Sequence, residues 1–316
     1  MDIIQIVKEN NLSLLKEQLK YSDVNAVDQE KDSLLIIACK NNNADIVRFL
    51  VMSGANLNYQ NKLLNTTLHY AVMKNNLLIC KMLLRANAKI DLLNNNLENV
   101  FMLALRYQRS EIIRLLLEFK PNLYFSNRKN ENLGFYLVYA NDIELFKELI
   151  DKVDIYNSHN DNFDSLLHLS VRLGYLKMSE FLLKNHYLVH IRNYDLETPL
   201  FIASSKSDLA HVELLTKNMA LVDIKNRFDE TVFDIASLKT KDYLTLKTQS
   251  YGYLKYLKDY PLHIATIKHD MKAFNENLSI ININKKDNFG YLAQDYAKYL
   301  NYLDIIKALY NYKKKC

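Results

Sequence analysis

Proline and glycine are nearly missing from this chain, with 3 and 5 residues among 316. So little flexible or rigid linker composition marks no domain boundary, and a single domain over 1–316 is expected. Cysteine is equally scarce. Cys39 and Cys80 fall inside helical patterns and Cys316 is the last residue, which makes neither a disulfide framework nor a zinc site and suits a reducing compartment. No apolar run approaches the roughly 18 residues that suggest a membrane span. The opening residues lack the basic head and apolar stretch of a secretory signal. The expectation is a cytoplasmic protein without stable membrane insertion; secretion into a host cell by a route lacking such a signal stays open.

Charge of one sign is also in short supply. The 41 basic and 36 acidic side chains leave a net charge of +5, and the visible surplus is Lys285-Lys286 and Lys313-Lys314-Lys315. A nucleic-acid groove needs a larger, more continuous basic stripe, so no nucleic-acid partner is expected. Catalytic constellations are missing too. No glycine-rich phosphate loop or GxSxG turn occurs, and Cys39 has no base partner in sight. His186 and His190 stand four apart but flank a connector, without the HExxH pattern of a zinc protease. His211 opens an apolar helical run, His159 lies in a loop, and Lys268-His269-Asp270 reads as a solvated turn. No catalytic residue, cofactor or metal site is expected.

What is present is recurrence. Residues 33–38 read Ser-Leu-Leu-Ile-Ile-Ala, and versions of this hexad return at 66–71 and 99–104, a step of 33 residues. The hexad drifts at 133–138, is clean at 165–170, and keeps the step at 198–203 and 231–236. The copy at 260–265 arrives after only 29 residues, and 292–297 is the weakest. Each copy starts a short helix. Its third residue points into the stack, and its small sixth residue lets a neighbour approach closely. Pro199 and Pro261 sit where a first helical turn needs no amide donor. A polar turn and a second apolar helix come next, as at 44–50, 77–84, 110–117, 175–183 and 209–215. Helices this short are marginal alone, and stacking identical pairs turns their apolar faces into a continuous core.

The segments between pairs recur as well, at 23–28, 55–60, 88–91, 153–157, 221–226 and 280–285. A single Val or Ile anchors this frame among Asn and Asp, which tolerate tight left-handed turns. Asn42, Asn75 and Asn185 stand where glycine would be expected. Asp45, Glu111 and Asp208 fall near second-helix starts, where a negative charge complements exposed amides. Two places depart from the frame. Residues 133–138 lack the hydroxyl and the histidine and precede a shortened turn, which predicts a local distortion. Between 236 and 260 the connector is compressed, which predicts a displaced second helix and a weak joint.

These hexads resemble the start motif of the ankyrin repeat family, Thr-Pro-Leu-His-x-Ala, over nearly the whole chain. The resemblance implies an all-α, ankyrin-like solenoid of about ten stacked helix pairs with hairpin-like connectors. Residues 1–22 and 291–312 are expected as N- and C-terminal capping pairs. For His69, His168 and His263 it implies a structural bond to backbone near the turn. It also implies a monomeric, non-catalytic scaffold that binds an unidentified protein through connector tips and the exposed side of the first helices. The fifth hexad positions, among them Ile37, Tyr70, Leu103 and Tyr296, border that side, with packing as the bland role for the aliphatic ones. Tyr59, Tyr70, Lys74, Arg106, Tyr107, Tyr124, Phe125, Tyr156, Arg172, Arg192 and Tyr194 are the candidate contact residues, because tyrosine and arginine make good interface anchors. Alternatives are a structural repeat without a specific ligand, or a host-directed bacterial effector that binds a host protein. The abundance of Asn, Lys, Ile, Leu and Tyr suits the AT-rich coding of such bacteria.

Overall fold

The computed structural model describes residues 2–150, 152, 158–185 and 187–315, and divides the chain into two compact units, Met1–Ile155 and Tyr156–Cys316. Among the described residues the secondary structure is helical, with isolated bridges such as Val27 to Ser33 and Ser126 to Asn132 in the connectors. The connector expected at 153–157, with Tyr156, and residues His186 and Cys316 lie outside the described residues.

The first unit is a stack of helix pairs: α1 (Ile3–Lys8) with α2 (Leu12–Gln18), α3 (Leu34–Lys40) with α4 (Ala44–Met52), and α5 (Thr67–Met73) with α6 (Leu77–Arg85). It continues with α7 (Val100–Arg106) and α8 (Ser110–Glu118), then α9 (Leu133–Ala140) and α10 (Ile143–Ile150). Each first helix packs on the next one, α1 on α3, α3 on α5, α5 on α7 and α7 on α9. The hexads carry this contact: Leu35, Ala38, Leu68, Ala71, Phe101 and Ala104 are buried. The distortion expected at 133–138 is confined to the helix end. Asn141, in left-handed geometry (φ 52°), closes α9 directly, and α9 still packs on α7.

Short helices need their end amides satisfied. The first helices use Ser33, Thr66, Asn99 and Asn132 as N-caps, and the second helices use Asn43, Asn76 and Asp142, whose Oδ1 atoms accept from Ile46, Ile79 and Leu145 at 2.9–3.1 Å. Asp45 and Glu111 lie in the first turns of α4 and α8, as expected from the macrodipole. Asn42 and Asn75 have the expected positive φ, 59° and 56°. Asn185 does not: its φ is −100°, because it ends its helix by turning its own side-chain amide back to the Phe181 carbonyl.

The second unit starts in the same way, with α11 (Leu166–Arg172) and α12 (Leu176–Lys184), then α13 (Pro199–Ser205) and α14 (Leu209–Lys217). Asp208 caps α14 by accepting from the His211 amide at 3.2 Å. The frame then changes where the compressed connector was read. The first helix shrinks to one turn, α15 (Val232–Ile235). A longer α16 (Leu238–Thr248) packs against α14, and an extra helix, α17 (Tyr251–Asp259), takes the connector's place. Tyr253 of α17 accepts the Val222 amide at 3.3 Å, so an aromatic side chain stands in for the absent hairpin.

The terminal block comprises α18 (Pro261–Lys268), α19 (Met271–Glu276), α20 (Ile280–Asn284), α21 (Ala293–Tyr299) and α22 (Leu303–Lys315) around Leu262, Phe274, Ile283, Ala297 and Ile305. The segment 280–285, read as a connector, is therefore corrected to a short helix. Its N-cap Ser279 accepts from Asn282 at 3.2 Å, and Ile283 alone reaches the core.

Candidate protein-binding surface

The connectors share one device. Asp28, Asn61, Asn94, Asn127, Asn160, Asn193, Asn226 and Asp287 each accept, through Oδ1, the backbone amides two and four residues on, at 2.8–3.1 Å. The side chain thereby replaces backbone partners that a tight turn cannot supply. The residue at the third place after it is forced into the left-handed region: Lys31, Leu64, Leu97, Asn130, Phe163, Leu196, Asp229 and Gly290 have φ between 55° and 86°. Only the last is glycine. Leu64, Leu97, Phe163 and Leu196 are apolar and more than 40 % exposed at their tips. Adjacent tips are tied together, Leu63 O accepting from Asn95 at 3.0 Å and Asn162 O from Tyr194 at 2.7 Å.

Histidine completes three of the joints. His69 Nδ1 meets the Thr66 hydroxyl at 2.7 Å, and its Nε2 lies 3.2 Å from the Glu98 carbonyl in the next repeat. His168 and His263 make the matching bonds to Glu197 O and Tyr291 O, each at 3.0 Å. Burial pushes His69 and His168 down to about 4, so both are neutral in the fold. These are the backbone bonds expected of the three histidines.

The row of first helices carries a second recurring device. Lys40 pairs with buried Asp32, Arg106 with Glu98 at 2.8 Å, and Arg172 with Asp164 at 2.9 Å. The spacing is eight residues within a pair and 66 between pairs, a regularity that lies outside the hexads themselves. Around Arg106 the pair grows into a network. Tyr136 donates to Glu98 at 2.7 Å, Tyr139 donates to Glu131 at 2.9 Å, and the Arg106 guanidinium stands 5.2 Å from the Tyr136 ring. Burial opposes the Arg106 charge, but the surrounding Tyr136, Glu98 and Glu131 hold its pKa above the ordinary value. Burial, reinforced by Glu98, pushes the Tyr136 hydroxyl up.

Several candidate contact residues therefore have roles inside the fold. Arg106 is half-buried in that network. Tyr70 is half-buried, with its hydroxyl 2.9 Å from Asn61 Nδ2 and Lys40 over its ring at 4.5 Å. Phe125 packs edge-on against Tyr136, with ring centroids 5.6 Å apart. Tyr59 is half-buried and Arg172 is tied to Asp164. Lys74, Tyr107, Tyr124 and Tyr194 are exposed. Tyr124 donates to Lys152 O at 3.1 Å, and Tyr194 carries Arg227 over its ring at 3.9 Å. Arg192 is half-buried beside the terminal block, its Nη2 3.5 Å from Ile267 O. Of the fifth hexad positions, Ile37, Leu103, Leu137, Leu169, Ile202, Ile264 and Tyr296 are buried, so packing is their role.

One constellation has the connectivity of an acyl-transfer triad. Asp208 Oδ2 lies 2.6 Å from His211 Nδ1, and His211 Nε2 lies 3.1 Å from Ser179 Oγ. Ser179 is completely buried and bonded on to Ser170, which donates to Leu167 O. No substrate carbonyl can reach that hydroxyl, so the chain of bonds is a joint between α11, α12 and α14. Among the described residues no group of three or more His, Cys, Asp or Glu side chains is placed to hold a metal ion, and no helix is long and apolar enough to cross a membrane.

Comparison with known proteins agrees with this geometry. The model of the family described as ankyrin repeats (3 copies) matches residues 3–94 and 135–226, more than half of the chain. No curated protein matches it. The pairs, the hairpin tips and the histidine joints are those of one architecture, and the chain belongs to the ankyrin-repeat family, a fold typical of non-catalytic protein–protein interaction scaffolds.

Proposed function

We propose that the chain binds a protein partner through its hairpin tips together with the exposed side chains of the first-helix row, Lys74 and Tyr107 foremost. The observation that carries this reading is the choice of residue at the tips. A bulky side chain held in left-handed geometry costs about 1 kcal/mol or more, and asparagine or glycine would relieve it. Leu64, Leu97, Phe163 and Leu196 accept that strain and expose apolar surface as well. Neither choice helps the fold, and both suit contact with another protein.

The reading extends to a monomer whose partner is protein rather than nucleic acid. The lysine clusters support this by their local engagements. Lys285 sits over the Tyr260 ring at 4.8 Å, Lys313 donates to Gln294 at 2.8 Å, and Lys314 covers Tyr310 at 4.8 Å. A reducing cytoplasm is proposed from Cys39 and Cys80, both free and both pushed up to about 12 by burial. Residues 1–22 and 291–312 are proposed as end caps.

The test is capture of partners by the full chain, then titration of the recovered partner against Leu64→Asp/Leu97→Asp and Lys74→Ala/Tyr107→Ala. Aspartate tolerates the left-handed turn, so folding should survive. Affinity should fall by about tenfold or more in each double variant. Affinity equal to wild type in both, with melting temperatures preserved, rejects the reading.

A further inference from the structure

In the second unit the terminal block returns against the connectors of α11 and α13 and leaves a cleft of about 910 Å³ between them. That is the size of a site for a compact ligand or several side chains of an extended segment. Two of the strained tips, Phe163 and Leu196, stand on one wall, and the C-terminal end of α21 forms the other with Tyr299 and Tyr302. Ring stacking braces the walls. His159 stacks on Phe163 at 4.6 Å, His269 stacks on Tyr302 at 3.9 Å and is held by Asp304, and Arg227 covers Tyr194 while donating to its carbonyl at 2.6 Å.

The charge in this cleft is unbalanced. Arg192 and Lys298 line it, and neither has a carboxylate partner among the described residues. The Arg192 Nε is buried without a hydrogen-bond partner, and its Nη2 reaches only the Ile267 carbonyl, at 3.5 Å. The one acidic residue in the lining, Asp295, is engaged at the start of α21, where its Oδ2 accepts the Leu292 amide at 2.8 Å, and it leaves the two cations in excess. An aromatic-walled cleft with two uncompensated cations is complementary to a carboxylate beside an apolar side chain.

We infer that this cleft is a recognition site for an acidic peptide segment of a partner protein, with Arg192 and Lys298 receiving its carboxylates and Phe163, Leu196 and Tyr302 its neighbouring apolar side chain. The inference rests on the protein-binding reading above and adds the chemistry of the partner.

The probe is the random copolymer of glutamate and tyrosine, fluorescently labelled and titrated with the full chain by anisotropy. Saturable binding is expected that weakens with salt. The copolymer of lysine and tyrosine should not compete. Arg192→Glu and Lys298→Glu should each weaken binding by about tenfold or more, and Lys81→Glu, exposed on α6 and outside the cleft, should leave it unchanged. Lys298 is exposed, so Lys298→Glu should melt with the wild type and keeps the result readable if Arg192→Glu fails to fold. Absence of saturable binding, or equal binding by wild type and Lys298→Glu, overturns the inference. If the cellular partner is then lost on changing Leu64 and Leu97 but not on changing Lys298, the cleft assignment fails while tip recognition stands.

Discussion

The two units start from one template and diverge in how they cover it. The first stacks five helix pairs, with α3, α5, α7 and α9 starting 33 residues apart, whereas the second keeps that step at α11, α13 and α15 but shortens α15 to one turn and inserts α17. One recurring ion pair shows the consequence. In the first unit Arg106 lies under Tyr136 and Tyr139 and faces Glu98 and Glu131, both at most 5 % exposed. In the second unit the positions 66 residues on from those tyrosines hold Ile202 and Ser205, and Arg172 beside Asp164 is 45 % exposed. An aromatic lid turns a surface ion pair into a buried network. The irregular unit places its aromatics elsewhere: Tyr253 and Tyr256 replace a hairpin, and Tyr299 and Tyr302 wall a cleft.

The contrast should be greatest at these arginines. Arg106→Ala strands two buried carboxylates and should cost about 3 kcal/mol or more in a urea melt. Arg172→Ala frees a pair already screened by water and should cost about 1 kcal/mol or less. Equal costs would contradict the role given to the tyrosine lids.

A smaller contrast comes from the turn asparagines. Asn127→Ala removes two backbone bonds and the bonds from Nδ2 to Glu131 and Tyr136, and should cost about 2 kcal/mol. Asn226→Ala removes the same backbone bonds but no tyrosine contact, and should cost about half as much. Chemical denaturation of the two variants side by side measures the difference.

Acid should separate the units. The first has one histidine shown pushed deep, His69, down to about 4. The second has His168, down to about 4, His190, down to about 3, and His263, also lowered, all primarily by burial. Lowered folded values mean that the unfolded chain takes up protons first. The stabilisation is present above the unfolded value near 6.5 and is lost as pH falls from there toward 4. Each histidine removes at most about 1.4 kcal/mol per pH unit in that window. Hydrogen exchange read by peptide should show the second unit opening first on acidification, and His190→Phe should reduce its advantage. Simultaneous opening would contradict this assignment.

The smallest effect is expected at the helix ends. Ser207 holds φ 56° after α13, where the first-unit counterpart of comparable geometry is Asn42. Ser207→Gly should raise stability by about 0.5 kcal/mol, and Asn42→Gly by less, since asparagine already tolerates the turn. Paired thermal melts decide the order.

Much of this was legible because it is local or periodic. The hexads located the first helices, the histidines announced their joints, and the compressed stretch after 236 flagged the place where the frame breaks. The rest depended on information that a linear reading does not hold. Arg106 looked like an exposed anchor because its acids, Glu98 and Glu131, sit in different repeats; only the recurrence of an acid eight residues before a cation hinted otherwise. Segment 280–285 has the composition of a connector, yet Ser279 caps it into a helix. Asn185 has the right residue type for a left-handed turn, but its side chain chose a helical carbonyl. The cleft joins 159–163, 191–196 and 295–302, a meeting set by the return of the terminal block and by no local pattern. The left-handed leucines at the tips were in plain view once the asparagine three residues before each was recognised as a turn former.

Whether the tips are built for contact at the expense of the fold is tested most directly by Leu64→Gly/Leu97→Gly, through the signs of two quantities measured on one sample. Thermal stability should hold or rise, by about 1 kcal/mol at most after glycine's added chain entropy, while affinity for the recovered partner falls about tenfold. A clear loss of stability with affinity unchanged would show that these leucines serve the stack, and the recognition surface would have to be sought elsewhere.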